Sequence, residues 1–201
     1  MKMTPDFTYE ENLIGTVAGV DEVGRGPFAG PVIAAAVILD RDNIPEGLAD
    51  SKTLSKKKRE SLFDQIRNTA QVGLGEASPA EIDELNILQA TFLAMQRAVE
   101  NLPKKPDHLL IDGNRDPQIH SSTQLIVKGD SKSFSISAAS IVAKVTRDRK
   151  MSVYAERYPH YGWERNSGYG TAEHRKGLLE HGVTPLHRRS FAPIRKMLES
   201  S

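Results

Sequence analysis

Asp21 and Glu22 stand side by side in the chain, and Gly24-Arg25-Gly26 follows them at once. Two adjacent acids are poor core residues, because burial strips their hydration. They suit a hard divalent cation, which takes oxygen ligands. The stretch before them, Val17-Ala18-Gly19-Val20, reads as a strand. Neighbouring side chains on a strand point to opposite faces, so both acids can serve one site only where the strand ends or bends. The glycines allow that bend, and they let another backbone, such as a nucleic-acid strand, come close.

Two further acids have similar settings. Asp112 follows the buried-type strand 108–111, and Asp130 follows a strand at 124–127 and the pair Lys128-Gly129. Each alone reads better as a turn residue. Together with Asp21-Glu22 they would lie at the carboxyl ends of three strands, where open α/β sheets form their ligand crevice. Four clustered carboxylates repel one another unless cations intervene. Oxygen-only ligands, in a chain without cysteine, favour Mg²⁺ or Mn²⁺ over zinc. Two such ions roughly 3.5–4 Å apart form the clamp used for in-line phosphoryl displacement.

The glycine-rich run Gly24 to Gly30 also has to be read as a dinucleotide-binding turn. Pro31 argues against it, since proline inside the required helix costs about 3 kcal/mol. Val32 to Leu39 reads instead as a strand.

The elements around these residues follow from periodicity. Strands are expected at 13–20, 31–39, 71–75, 108–111 and 124–127. Ser55 caps a helix running to about residue 70, with Leu62, Phe63 and Ile66 inward. Ser78-Pro79-Ala80-Glu81 is a capping box. It opens one helix with Leu85, Leu88, Phe92, Met95, Val99 and Leu102 three and four apart. A long helix spans 137 to about 157, an aromatic loop 158–169, and a helix 171–181 stopped by Gly182. The order implies an α/β fold with a mixed five-stranded sheet, antiparallel early and parallel late.

A chain of 201 residues forms one domain by default, with a body at about 13–150 and a lobe at about 151–198. Residues 1–130 carry 14 Lys/Arg against 20 Asp/Glu, a net of −6, and residues 131–201 carry 13 against 6, a net of +7. Metal in the first part and polyanion contact in the second would account for that asymmetry, although from charge alone a solvated helical surface is the simpler reading. The longest apolar run, Val32 to Leu39, is too short to span a bilayer. The N-terminus lacks a leader's apolar core, and cysteine is absent, so a cytoplasmic monomer is expected.

The motifs resemble those of bacterial ribonuclease HII. They are Gly19-Val20-Asp21-Glu22-Val23-Gly24-Arg25-Gly26-Pro27, Asp50-Ser51-Lys52, Glu84-Leu85-Asn86-Ile87-Leu88, Leu110-Ile111-Asp112-Gly113-Asn114, Lys128-Gly129-Asp130-Ser131, Ser137-Ala138-Ala139-Ser140-Ile141, Lys144-Val145-Thr146-Arg147-Asp148 and Gly168-Tyr169-Gly170-Thr171. The resemblance implies a ribonuclease H-like fold, flanking helices and a C-terminal helical lobe. It implies hydrolysis of the RNA strand of RNA–DNA hybrids, and incision 5′ of single ribonucleotides in duplex DNA, with Mg²⁺ or Mn²⁺. Asp21, Glu22, Asp112 and Asp130 would be the metal-binding catalytic acids. Gly24, Arg25 and Gly26 would sense the 2′-hydroxyl, and Tyr169 would stack on the sugar of the next nucleotide. Alternatives are another two-metal nuclease of the same fold, or an inactive nucleic-acid binding module. Type 1 ribonuclease H lacks the adjacent Asp-Glu pair, and ribonuclease HIII carries an extra N-terminal domain and usually Glu as its fourth acid. The tail Met197 to Ser201 shows no glutamine–aromatic motif for a sliding clamp.

Tyr169 has Tyr158, Tyr161, Trp163, Arg165, His174, Arg175 and Lys176 around it in sequence. Basic residues among aromatics suit phosphate neutralisation and stacking, although lobe packing is the simpler reading for every aromatic but Tyr169. Lys52 and Arg25 could meet phosphate near the metals, Lys52 equally a surface salt bridge. Lys144, Arg147 and Lys150 read as a solvated helix face, with phosphate contact as the alternative.

Overall fold

The structure, a computed structural model, describes residues 4–199. Met1 to Met3, read above for a leader, and Ser200-Ser201, part of the tail read for a clamp motif, lie outside the described residues. Five strands, β1 (Val17–Val23), β2 (Val32–Ile38), β3 (Gln71–Ala77), β4 (His108–Asp112) and β5 (Thr123–Ile126), form one sheet ordered β3-β2-β1-β4-β5. β1 pairs antiparallel with β2, and β2 with β3; β1 and β4, then β4 and β5, pair in parallel. The expected mixed sheet is therefore present.

Among the described residues, eight α-helices accompany it: α1 (Thr8–Glu11), α2 (Lys56–Thr69), α3 (Pro79–Leu85), α4 (Ile87–Glu100), α5 (Phe134–Arg157), α6 (Trp163–Asn166), α7 (Ala172–His181) and α8 (Ala192–Glu199). One sheet face packs Ala18, Val20, Ala34, Ala36, Leu109 and Ile111 against α3 and α4. The other packs Ala35 and Val37 against α2 and the small residues of α5. A side chain at Gly19 would overlap the α5 backbone at Ser135 and Ile136, so glycine there lets α5 lie directly on β1. A third cluster holds Met151, Tyr161, Trp163, Leu178 and Ile194 of the later helices together with Ala29.

Several expectations change. β1 starts at Val17 and runs through both acids to Val23. The helix expected from Pro79 to Leu102 is two helices, broken at Asn86, whose φ is 70°. The Asn86 Oδ1 accepts from the Leu88 and Gln89 amides at 2.9 and 3.2 Å, starting α4 afresh. The apolar spacing runs through the break because α3 and α4 bury against the same cluster, through Ile82 and through Ala90, Ala94 and Met95. α5 begins three residues early, because the Ser133 hydroxyl caps the Ile136 amide. The loop expected at 158–169 contains a 3₁₀ turn at Pro159–Tyr161 and α6, with Tyr161 and Trp163 buried.

Candidate active site

β1 and β4 run in parallel with Val20 opposite Ile111. One residue further, that register sets Asp112 beside Asp21. Val20 and Ile111 point into the cluster with α4, so strand alternation turns Asp21 and Asp112 toward α5. Glu22 points the other way, into a cavity of about 200 Å³ lined by Leu88, Thr91, Phe92 and Met95 of α4. The strand neither ends nor bends between the two acids, which corrects the sequence argument. Asp112, at the end of β4, borders that cavity and a second of about 520 Å³, and the charges of Glu22 and Asp112 both act on Asp21.

Asp130 sits in a 3₁₀ turn, Gly129–Ser131, between β5 and α5, beyond the strand end where it was expected. The Gly129 amide donates to Asp112 Oδ1 at 2.6 Å. Asp130 and Asp112 both line the larger cavity, with Asp50, Lys52 and Asn114. Lys52 Nζ is 4.0 Å from Asp130 Oδ2. Arg25 Nη1 is 3.3 Å from Glu22 Oε1.

All four acids hold protons more tightly than usual, and burial is the largest cause for each. Asp21 is raised well above the carboxylate range by burial and then by the charges of Glu22 and Asp112, against a hydrogen bond from Ser140. Burial raises Glu22 despite Arg25. Burial also raises Asp112. Burial, then Asp50 and Asp112, push Asp130 up to about 6. Burial alone would lower Lys52, but Asp130, Asp50, Asp21 and Asp112 outweigh it and raise it. Arg25 and Lys52 do not offset the effect of burial on Glu22 and Asp130, and the donor atoms of all four acids are carboxylate oxygens. Among the described residues, no three or more acidic, imidazole or thiol groups close on a single point as a cage. The fit to Mg²⁺ or Mn²⁺ rests on the donor set, since hard divalent cations take oxygen ligands.

A family profile described as "Ribonuclease HII" matches residues 18–194. The chain belongs to the ribonuclease HII family. It is 61% identical over 188 residues to the ribonuclease HII of Magnetococcus marinus, covering 92% of this chain and 88% of that one. It is 58% identical over 197 residues to that of Jannaschia sp., covering 98% and 99%. The crystal structure of the ribonuclease H2 from Pyrococcus horikoshii superimposes with a TM-score of 0.79 at 31% identity, over 92% of this chain and 98% of that one. This ribonuclease HII-family chain is an endoribonuclease acting on RNA–DNA hybrids, and its family requires a divalent cation. Among the described residues, no helix is long and apolar enough to cross a membrane.

Other expected residues divide. Tyr169 is 46% exposed, and a Cβ added to Gly26 would lie 3.4 Å from its ring, so the glycine loop and Tyr169 share one surface. His174 does not belong to a basic face: it is fully buried, donates through Nδ1 to the Tyr169 carbonyl at 3.0 Å and accepts from Trp163. Arg165 pairs with Glu164 and Glu173, and Arg175 stacks on Phe28. Arg147 lies on no solvated face either; it is wholly buried. Lys144 pairs with Asp148 and Lys150 with Glu76.

Asp50, Ser140 and Arg188 were not singled out from sequence. Asp50 and Ser140 lie in the quoted motifs Asp50-Ser51-Lys52 and Ser137–Ile141, but only folding brings Ser51 and Ser140 within 2.9 Å of each other. Arg188 carried no signal beyond its charge.

Proposed function

We propose that Asp21, Glu22, Asp112 and Asp130 hold Mg²⁺ or Mn²⁺ and that this site nicks DNA 5′ of single embedded ribonucleotides as well as RNA strands of hybrids. The observation that carries the reading is the place of Asp112 at the end of β4, where it lines one cavity with Glu22 and another with Asp130, and where its charge acts on Asp21. Bound divalent cations would supply Lewis-acid stabilisation for the attacking and leaving oxygens of the phosphodiester. Water oxygen bonds to phosphorus, the bond to the 3′-oxygen breaks, and a 3′-hydroxyl and a 5′-phosphate result.

The remaining residues set what is cut. The 2′-hydroxyl distinguishes RNA from DNA at a given position, and Gly24, Arg25 and Gly26 form the backbone surface that would meet it. Tyr169, exposed beside Gly26, would stack on the next sugar. Lys52 reaches into the acidic cavity beside Asp130, where an ammonium meets phosphate charge. The charge division of the chain, net +7 after residue 130, supports a duplex lying across the lobe.

The test is a duplex of DNA carrying one ribonucleotide, incubated with Mg²⁺ or Mn²⁺ beside an all-DNA control. A nick 5′ of the ribonucleotide in the first alone is expected. Equal cutting of both, or none of the first, would sink the proposal.

A further inference from the structure

Arg147 and Arg188 are both fully buried, and each hydrogen bond found for their guanidinium groups among the described residues ends on a backbone carbonyl. Arg188 donates through Nε to Gly30 and through Nη1 to Arg25, both at 2.9 Å, and through Nη2 to Gly24. Arg147 donates to Pro31 at 2.9 Å, Ala29 at 3.1 Å and Ser167 at 2.8 Å. Burial lowers Arg147 to about 10; burial and then the Arg147 charge lower Arg188 to about 9. Both therefore stay charged at neutral pH. Two like charges are buried together, which is costly unless their donors are well satisfied. Here five carbonyls of the stretch 24–31, and that of Ser167 two residues before Tyr169, satisfy them.

The consequence lies on the opposite side of the peptide planes. In a planar trans peptide the N–H points away from the preceding C=O. With the Gly24 and Arg25 carbonyls turned inward to Arg188, the amides of Arg25 and Gly26 turn outward. Gly24 has φ +95°, and a Cβ there would overlap the Arg147 side chain. Gly26 opens instead toward the Tyr169 ring. The two glycines thus differ in purpose: Gly24 makes room for Arg147, and Gly26 makes room on the substrate side.

We infer that Arg188, braced by Arg147, is a positioning residue for ribose discrimination, aiming the Arg25 and Gly26 amides at the 2′-oxygen from behind the loop. The inference rests on the reading of Gly24 to Gly26 as the 2′-hydroxyl sensor. Lysine keeps the charge but cannot span three carbonyls in one plane. Binding without turnover, in EDTA, is compared for a duplex with one ribonucleotide and its all-DNA counterpart. Arg188→Lys is expected to keep its fold by circular dichroism, keep its all-DNA affinity, and lose about tenfold of its preference for the ribonucleotide, the worth of a lost hydrogen bond or two. A folded variant with undiminished preference overturns the inference. If Arg188→Lys does not fold, Arg147→Lys is read in the same way. Amide resonances of Arg25 and Gly26 in the unaltered protein give a second measurement. They should move with the ribonucleotide duplex and not with the all-DNA one; no difference, with binding preference present, overturns the inference. If the unaltered protein shows no preference at all, the reading of the sensor fails and the inference falls with it, whereas a folded variant with undiminished preference overturns the inference alone.

Discussion

The Gly129 amide donates to Asp112 Oδ1 at 2.6 Å, so the turn that carries Asp130 is tied directly to the end of β4. The residue before that amide, Lys128, adopts a left-handed conformation, φ 57°, which is uncommon for a residue with a Cβ. The turn thus brings Asp130 beside Asp112 instead of continuing along β5. Like charges are held together at the cost of stability, as sites built for function commonly are.

Asp21→Asn should therefore separate function from stability. Turnover should fall by at least ~3 kcal/mol of transition-state stabilisation, the scale of losing a key electrostatic group. Melting temperature in EDTA should rise, because a buried carboxylate repelled by Glu22 and Asp112 is gone. The stabilisation that Mg²⁺ or Mn²⁺ gives the unaltered protein should shrink. Near-normal turnover would remove Asp21 from the site.

Asp130 gives the pH dependence of the metal-free protein an unusual sign. Its folded value, about 6, lies above the ordinary 3.8, so the folded state binds more protons than the unfolded one between those values. Stability from this group is present below about 3.8 and lost as pH rises through 6. Urea midpoints in EDTA from pH 4 to 7 should fall less steeply in Asp130→Asn than in the unaltered protein. Saturating divalent cation should recover the loss at pH 7. Parallel pH profiles for the two proteins would refute the assignment.

His187 acts in the opposite direction. Burial first, and the adjacent His174 second, lower it from its ordinary 6.5 to about 3. Its Nδ1 accepts from the Thr184 amide at 2.9 Å, so its Nε2 donates to His174 Nε2 at 3.0 Å, and the ring is neutral. Stability from this group is complete above 6.5 and lost as pH falls toward 3, by about 2 kcal/mol at pH 5. In His187→Asn, the loss of stability between pH 7 and pH 5 should be smaller, as measured by urea unfolding with divalent cation present.

Tyr169→Ala should harm cleavage at a single ribonucleotide more than cleavage of a long hybrid, by about 1–3 kcal/mol for a lost stacking contact. A long hybrid offers many ribonucleotides and many registers. The check is the ratio of kcat/KM on the two substrates. An equal loss on both would count against a role at the junction.

Asn86→Ala should lower stability by about 2 kcal/mol, combining a lost cap with a left-handed backbone that alanine resists. Differential scanning calorimetry reads this directly. No change would mean that the break between α3 and α4 is held by packing alone.

The candidate reacting groups stood out in the chain. Adjacent Asp21-Glu22, the acids after two later strands, and the glycine loop all lie close to the elements that bear them, so local patterns revealed them. The capping box at Ser78 and the cap at Ser55 were equally local, and both are present. Asn86 was hidden because apolar periodicity reports which face is buried, not whether the helix is continuous. The division of Asp21 and Glu22 between opposite sheet faces also escaped, since it depends on β1 continuing to Val23. The two arginines lay furthest from view. From sequence Arg147 is one charge on a helix and Arg188 one of a basic tail. Their roles exist only because tertiary packing brings residues 116 to 164 positions apart onto the carbonyls of one loop. Sequence alone determined which atoms could do chemistry; the fold decided which way the backbone around them faces, because peptide orientation is set by partners distant in the chain.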